Sequence, residues 1–432
     1  MTIRVVTLGC SKNLVDSEHL MVQFRAAGHR VFHDHRGSNA DAVVINTCGF
    51  ILDAKEESLD TIFQFIREKK EGRLQKLFVM GCLTERYRGE LKEELPEVDG
   101  IFGVRDWPEI MEAVGNQLQE ALLTQRLLTT PSHYAYLKVS EGCNRSCAFC
   151  AIPRIRGSQR SIPIEKLVEE STHLVQGGVK ELILIAQDLT NYGIDLYHKR
   201  ALAALLKVLV RIPGLEWIRL HYAYPTGFPE EVIELMASEE KICNYMDIPI
   251  QHINDQLLQG MGRGHNRRKL EELLDHFRKK VPDIALRTTL MTGFPGETEE
   301  SFRELLDFMT AFRFERVGVF PYSHEEDTPA FRQFEDQIPE RIKTQRVEKL
   351  MELQQGISLE LNEMKVGKTY KVLIDRQEGK YLVGRTQYDS PEVDHEILIP
   401  ADKSLSTGRF YQVRITGAEA FDLYGRVVEP TP

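Results

Sequence analysis

Cys143, Cys147 and Cys150 share one short stretch, and three thiolates so spaced can hold three corners of an iron-sulfur cubane while the fourth iron stays open. An open iron is a place for chemistry, because a small molecule can chelate it through nitrogen and oxygen. A second set, Cys10, Cys48 and Cys82, is dispersed, yet each member ends a strand-like run, at Val5–Leu8, Val43–Thr47 and Leu77–Gly81, and a helical pattern follows each. Zinc is the competing use of the compact set, since both spacings fall inside those of zinc loops. A structural zinc wants a fourth protein ligand, however, and no Cys or His occurs between Cys150 and His173. For the dispersed set the competing reading is three separate buried thiols. Cys243, the seventh cysteine, has no partner pattern and reads as a packing residue.

The elements that must position these thiols follow from the hydrophobic periodicity. Strands near 3–9, 42–47 and 77–81 alternate with helices near 16–27, 53–70 and 84–94, the order of a parallel sheet with helices on its faces. Sites in such sheets gather beyond the carboxyl ends of the strands, so Cys10, Cys48 and Cys82 should converge there. From 134 to 323, six apolar runs (134–140, 181–187, 216–224, 245–251, 284–291 and 316–322) are separated by amphipathic stretches such as 163–176, 229–237, 266–280 and 298–312. Six βα units predict an incomplete parallel barrel, with the Cys143 loop at its mouth. A charged helical stretch from Pro339 to about Met364 leads to short strand-like runs at 370–374, 381–385, 396–399 and 411–415, the pattern of a small antiparallel, OB-like β-barrel. The expected fold class is therefore α/β, with domains at 1–125, 126–363 and 364–432.

Composition narrows the function classes. The chain has 432 residues, 55 basic and 65 acidic, a net charge of −10, which argues against a protein that holds nucleic acid by charge alone. No apolar stretch approaches the roughly 20 residues needed to span a bilayer, and the first ten residues are too short for the apolar core of a secretory signal. A cytoplasmic protein without membrane attachment is expected. Seven cysteines in such a chain fit metal binding in a reducing compartment better than a disulfide framework.

Cys143-Asn144-Arg145-Ser146-Cys147-Ala148-Phe149-Cys150 resembles the signature of the radical S-adenosylmethionine (SAM) enzymes, including the aromatic Phe149 before the last cysteine. The three cysteines ahead of it resemble the methylthiotransferase family within that group, and the terminal barrel resembles its TRAM domain. Gly9-Cys10-Ser11-Lys12-Asn13-Leu14-Val15-Asp16-Ser17-Glu18, with Gly384-Arg385-Thr386 and Asp389-Ser390-Pro391-Glu392-Val393-Asp394, is similar to the branch that modifies an aspartate of ribosomal protein S twelve. The tRNA-modifying branch usually carries Gly-Cys-Gln-Met-Asn where this chain has Gly9-Cys10-Ser11-Lys12-Asn13.

The resemblance implies two [4Fe-4S] clusters, on Cys143, Cys147 and Cys150 and on Cys10, Cys48 and Cys82. It also implies S-adenosyl-L-methionine as the source of a radical that takes hydrogen from the aspartate β-carbon, and a second SAM as methyl donor. Sulfur would be inserted at the Cys10 cluster, and the electron would come from a donor such as flavodoxin or ferredoxin. The two readings held against it are the same chemistry on a tRNA adenosine and a non-catalytic, zinc-containing RNA-binding protein.

Other residues are placed to assist. Gln187 and Asp188, at the end of the second barrel strand, would contact the methionine moiety, although a polar strand end that caps the next turn looks the same. Thr292–Thr298 resembles a family motif but also suits any tight βα turn. His252 would reach the cavity from the fourth strand. Arg263, Arg267, Arg268 and Lys269 form a basic run that would offer a partner-binding face. In the terminal barrel, ten basic and ten acidic residues balance. Asp389, Glu392, Asp394 and Glu396 would form an acidic patch that repels RNA and attracts a basic ribosomal protein.

Overall fold

The computed structural model describes residues 1–34 and 40–428. Strands β1 (Thr2–Thr7), β2 (Arg30–His33), β3 (Ala42–Thr47), β4 (Lys76–Gly81) and β5 (Gly100–Ile101) form a parallel sheet in the order β2-β1-β3-β4-β5. Helices α1 (Ser11–Ala26), α2 (Leu52–Lys70) and α3 (Cys82–Glu94) leave the carboxyl ends of β1, β3 and β4, and α4 (Trp107–Ala113) closes the layer. All six residues of β3 are buried, as expected of the middle strand of a sheet covered on both faces. Chain direction across the sheet reverses between β1 and β3, so a crevice opens beyond their carboxyl ends. The loops bearing Cys10 and Cys48 leave from those two strands.

The second sheet contains β6 (Tyr134–Lys138), β9 (Glu181–Ile185), β10 (Trp217–Leu220), β11 (Ile242–Asp247), β12 (Ala285–Thr292) and β13 (Arg316–Pro321), all parallel, in the order β13-β12-β11-β10-β9-β6. A short antiparallel pair, β7 (Ser140–Glu141) with β8 (Arg160–Ser161), brackets the cysteine loop. Alternation along each strand sorts two populations. Ala135, Leu137, Leu182, Leu184, Ile218 and Leu220 face the helices in one large apolar core. Tyr134, Tyr136, Arg219, His221, Tyr245 and Arg287 occupy the alternate positions, on the concave side.

The chain ends in a closed barrel of β14 (Thr369–Glu378), β15 (Tyr381–Arg385), β16 (Glu396–Pro400), β17 (Phe410–Ala418) and β18 (Asp422–Val427). Four of its strand pairs are antiparallel, but β16 runs parallel to β18, a fifth strand the sequence pattern did not separate from its neighbours. The loop between β15 and β16 leaves this barrel and enters the concave side of the parallel sheet. Arg316 donates through Nε to Asp389 Oδ1 at 3.1 Å, Arg287 Nη1 to Asp394 Oδ1 at 2.5 Å, and Tyr245 OH to Asp394 Oδ2 at 2.8 Å. Ser390 Oγ lies 2.9 Å from His221 Nε2, and Tyr134 OH donates to Glu392 Oε1 at 3.1 Å.

The expected acidic surface patch is therefore corrected. Asp389 and Asp394 are taken up by Arg316, which is buried, and Arg287, which is half-buried, Glu396 pairs with Arg376 at 2.6 Å, and of the four only Glu392 is exposed. Unpaired arginines inside the half-barrel would carry a large desolvation cost, which explains why the loop takes acids inward. Two grooves of about 510 and 550 Å³ run along the seam between the half-barrel and the terminal barrel, and neither touches a cysteine of either set.

Candidate active site

The dispersed cysteines meet because glycines let their loops touch. Gly9 has φ +89°, and a Cβ there would sit 2.8 Å from Cys48 Cβ; a Cβ on Gly49 would lie 2.7 Å from the backbone of Leu83, beside Cys82. Side chains then strap the loops together. Asn13 donates to the carbonyls of Leu8 (2.8 Å) and Thr47 (3.1 Å), and Asn46 donates to the carbonyl of Asn13 at 2.9 Å. Cys10 is exposed, Cys48 half-buried and Cys82 buried. Burial raises the Cys48 thiol and pushes Cys82 up to about 12, and in both the neighbouring Cys10 works in the same direction.

The compact set is held by backbone bonds. Cys143 N–H donates to the carbonyl of Gly157 (3.0 Å), Cys150 N–H to that of Cys147 (3.1 Å), and Ala148 N–H to that of Met261 (2.8 Å). Phe149 is partly buried against Ala148, Leu257, Met261, Phe294 and Tyr322, which fixes the loop's middle. Burial pushes the Cys143 thiol up to about 11 and Cys150 to about 12, with the other thiols of the loop adding to it.

Thiols brought together by one loop or by neighbouring strand ends, several of them buried, suit a metal cluster, since binding metal supplies the positive charge that their deprotonation requires. Among the described residues no three Cys, His, Asp or Glu side chains are gathered closely enough to hold a single metal ion.

Two arginines, neither singled out for this purpose by its sequence position, complete the geometry. Arg156 Nη2 donates to Cys82 Sγ at 3.3 Å while its other nitrogen reaches Asp16 (2.9 Å) and Glu141 (3.0 Å). Arg263 Nη1 donates to Cys147 Sγ at 3.2 Å and its guanidinium lies 4.3 Å from the Tyr224 ring centre. Donors aimed at a ligating sulfur are one of the levers by which a protein sets a cluster's potential.

Arg263 is thus no part of an exposed basic face. Arg267 and Arg268 do open the helix Arg267–Lys280, with Glu271 (2.8 Å) and Glu272 (3.6 Å) one turn on. No spacing rule ties residue 156 or 263 to a cysteine, so only the fold could reveal them.

Between the two cysteine sets runs a polar network. Lys138 pairs with Asp16 and, at 2.7 Å, with Glu141; Gln187 Nε2 donates to Glu141 Oε1 at 2.8 Å. Burial alone would raise Glu141, but Lys138 and Arg156 hold it down to about 2. Asp188 accepts from Arg145 Nε at 2.6 Å and caps the 3-10 turn Leu189–Asn191, so its carboxylate orients Arg145, which lies over Tyr224.

His252 is fully buried, and its Nδ1 accepts from the N–H groups of Ile253 (2.9 Å) and Asn254 (3.0 Å), so that it caps a turn. Thr298 forms a capping box with Ser301, so the Thr292–Thr298 loop turns a strand into a helix. Cys243 packs against Trp217, Tyr245 and Leu373.

The chain resembles known proteins along its whole length. Residues 137–309 match the model of the radical SAM superfamily, residues 2–103 that of an uncharacterized protein family, UPF0004, and residues 366–428 that of the TRAM domain. A ribosomal protein uS12 methylthiotransferase RimO from Christiangramia forsetii is 54% identical over 99% of this chain and 95% of its own. The protein of the same name from Parabacteroides distasonis is 52% identical over 99% of both.

Among solved structures, the radical SAM methyltransferase TsrM from Kitasatospora setae, with cobalamin and a [4Fe-4S] cluster bound, superposes with a TM-score of 0.57 at 16% identity. It covers 76% of this chain and 73% of that one, a likeness of fold. A [4Fe-4S] cluster and SAM are what the superfamily uses. With relatives so similar end to end, the chain belongs to the ribosomal protein uS12 methylthiotransferase RimO family of radical SAM enzymes.

Proposed function

We propose that this enzyme adds a methylthio group to the β-carbon of an aspartate side chain in ribosomal protein uS12, using two clusters. Relatives at 52–54% identity are named as ribosomal protein uS12 methylthiotransferases, and the observation that supports the two-cluster reading is the convergence of two cysteine sets joined by the Arg156–Glu141–Lys138 network. Cys143, Cys147 and Cys150 would hold the cluster that binds SAM, with Phe149 and Gln187 beside it and Asp188 acting through Arg145. Cys10, Cys48 and Cys82 would hold the second, where sulfur is attached. When bound, the first cluster supplies the electron that cleaves SAM to a carbon radical able to take hydrogen from an unactivated carbon.

The chain's own residues would do the remaining work. Arg263 and Arg156 each donate to a ligating sulfur and keep it in place. The half-barrel, closed below by the Asp389–Asp394 loop, shields the radical from water and other hydrogen donors. A small electron carrier such as flavodoxin or ferredoxin would deliver the electron, in the cytoplasm, where uS12 is made. No described helix is long and apolar enough to cross a membrane.

Anaerobic incubation of reconstituted enzyme with uS12, SAM, sulfide and a reductant, followed by mass spectrometry, tests the reading. Cys147→Ala should abolish SAM cleavage and product; Cys48→Ala should still cleave SAM yet give no methylthiolated uS12. Product from the Cys48 variant would remove the second cluster's role, and modification of a tRNA adenosine with uS12 untouched would replace the substrate.

A further inference from the structure

Cations on the concave side of the half-barrel, buried or half-buried, nearly all have an anion. Arg219 Nε meets Glu181 at 2.8 Å, Arg287 meets Asp394, Arg316 meets Asp389, and Lys138 meets Glu141 at 2.7 Å. Arg145 meets Asp188, and Arg263 faces the Cys147 sulfur. Lys12 is the exception. It is 9% exposed, and among the described residues no carboxylate oxygen lies within 4.0 Å of its ammonium. Its Nζ rests instead 3.4 Å from the ring centre of Tyr222.

Placement says what the charge is for. Lys12 opens α1 two residues after Cys10, and Tyr222 lies just past β10, so the side chain reaches from the sulfur-bearing domain across to the half-barrel. Tyr222 is held in a left-handed conformation, φ +61°, with its N–H on Asp247 Oδ2 at 3.1 Å, a constraint that presents its ring to the lysine. The charge of Lys12 acts on the half-barrel side: after burial and the nearby arginines, it adds to the depression of His221 and offsets the rise of Asp247.

An ammonium seated on an aromatic face, with no carboxylate of the described residues beside it, is free to take an anion that enters the chamber. A carboxylate fits, because an aspartate side chain leaving water for this chamber needs its charge matched. We propose that Lys12 receives the side-chain carboxylate of the target aspartate and holds the neighbouring carbon toward the reacting groups, an assignment that rests on the function proposed above.

The test measures binding to anaerobically reconstituted enzyme, without turnover, of uS12 carrying either the native aspartate or asparagine at the target position. Wild type should prefer aspartate by about 10- to 100-fold in Kd, the range for a charge-assisted hydrogen bond out of water. Lys12→Met should bring the ratio close to one, and Lys12→Arg should keep most of it, with iron content measured alongside. A Lys12→Met enzyme with full iron that retains the wild-type ratio overturns the assignment. Iron lost from Lys12→Met but kept in Lys12→Arg, with the aspartate preference absent from wild type, gives the lysine to the cluster and overturns it too. Wild type that neither binds nor modifies uS12 sinks the functional reading itself, a result separable from the others.

Discussion

Arg156 ties three things that lie far apart in sequence: a thiol of the first domain, an acid of α1 and an acid of the cysteine-bearing hairpin. It is 2% exposed, so its charge is stabilised by the groups it touches: Asp16, Glu141, the Asn13 side-chain oxygen and the Cys82 sulfur. Removing one partner of a buried ionic group costs more than the group contributes, because the others stay behind uncompensated. Arg156→Met should therefore destabilise the cluster-free protein by about 3 kcal/mol, less than the full penalty because Lys138 still faces both acids. Urea unfolding of the variant against wild type measures this; an unchanged midpoint would mean that Lys138 alone suffices.

At the scale of elements, the glycines that flank the dispersed cysteines decide whether three strand ends can become one site. Gly49→Ala sets a methyl group against the Leu83 backbone, which cannot swing aside as a long side chain would. The expected outcome is a protein that retains about half its iron and still cleaves SAM, read by iron and sulfide assay with EPR; a full complement of iron would show that the α3 end can yield. Much of this level was legible beforehand. Strands β1, β3 and β4 announced themselves because buried central strands are continuous apolar runs, and the six barrel strands did so for the same reason.

The misses have physical causes. Strand β2 is half-exposed with only Val31 and Phe32 apolar, and β5 has two residues, too short for any period. The helix Leu202–Leu209 is buried on most sides and so lacks the polar stripe that marks a helix. For the site, cysteines have a spacing language and arginines have none. Arg156, Arg263 and the isolation of Lys12 exist only after distant segments meet. The acids of 389–396 were misplaced because a charge on a loop reads as solvated unless the cations waiting inside a neighbouring domain are known.

For the whole molecule, the helix Glu340–Glu363 and the terminal barrel share a histidine. His395 lies 3.1 Å from both Ser358 Oγ and Asn362 Nδ2, and burial, with Arg316 adding, lowers its pKa to about 3. The folded protein thus holds it neutral, whereas the unfolded chain takes a proton below 6.5. Its contribution to stability is complete above that value and is lost as the pH falls toward about 3. Over that window it should steepen the fall of unfolding free energy by up to about 1.4 kcal/mol per pH unit. His395→Asn should flatten the slope relative to wild type in melts run across the same pH range, and an identical slope would place the acid sensitivity elsewhere.

The loop from β15 to β16 touches both edges of the half-barrel, reaching Arg316 on β13 through Asp389 and Tyr134 on β6 through Glu392. It works like the keystone of an arch whose ends never meet. The terminal barrel is accordingly no interchangeable tail. A chimera that swapped in another protein's terminal barrel would inherit a mismatched keystone and leave Arg287 and Arg316 without the acids that answer them. Trading substrate specificity between such enzymes thus requires transplanting the inner wall of one domain together with the loop of the next.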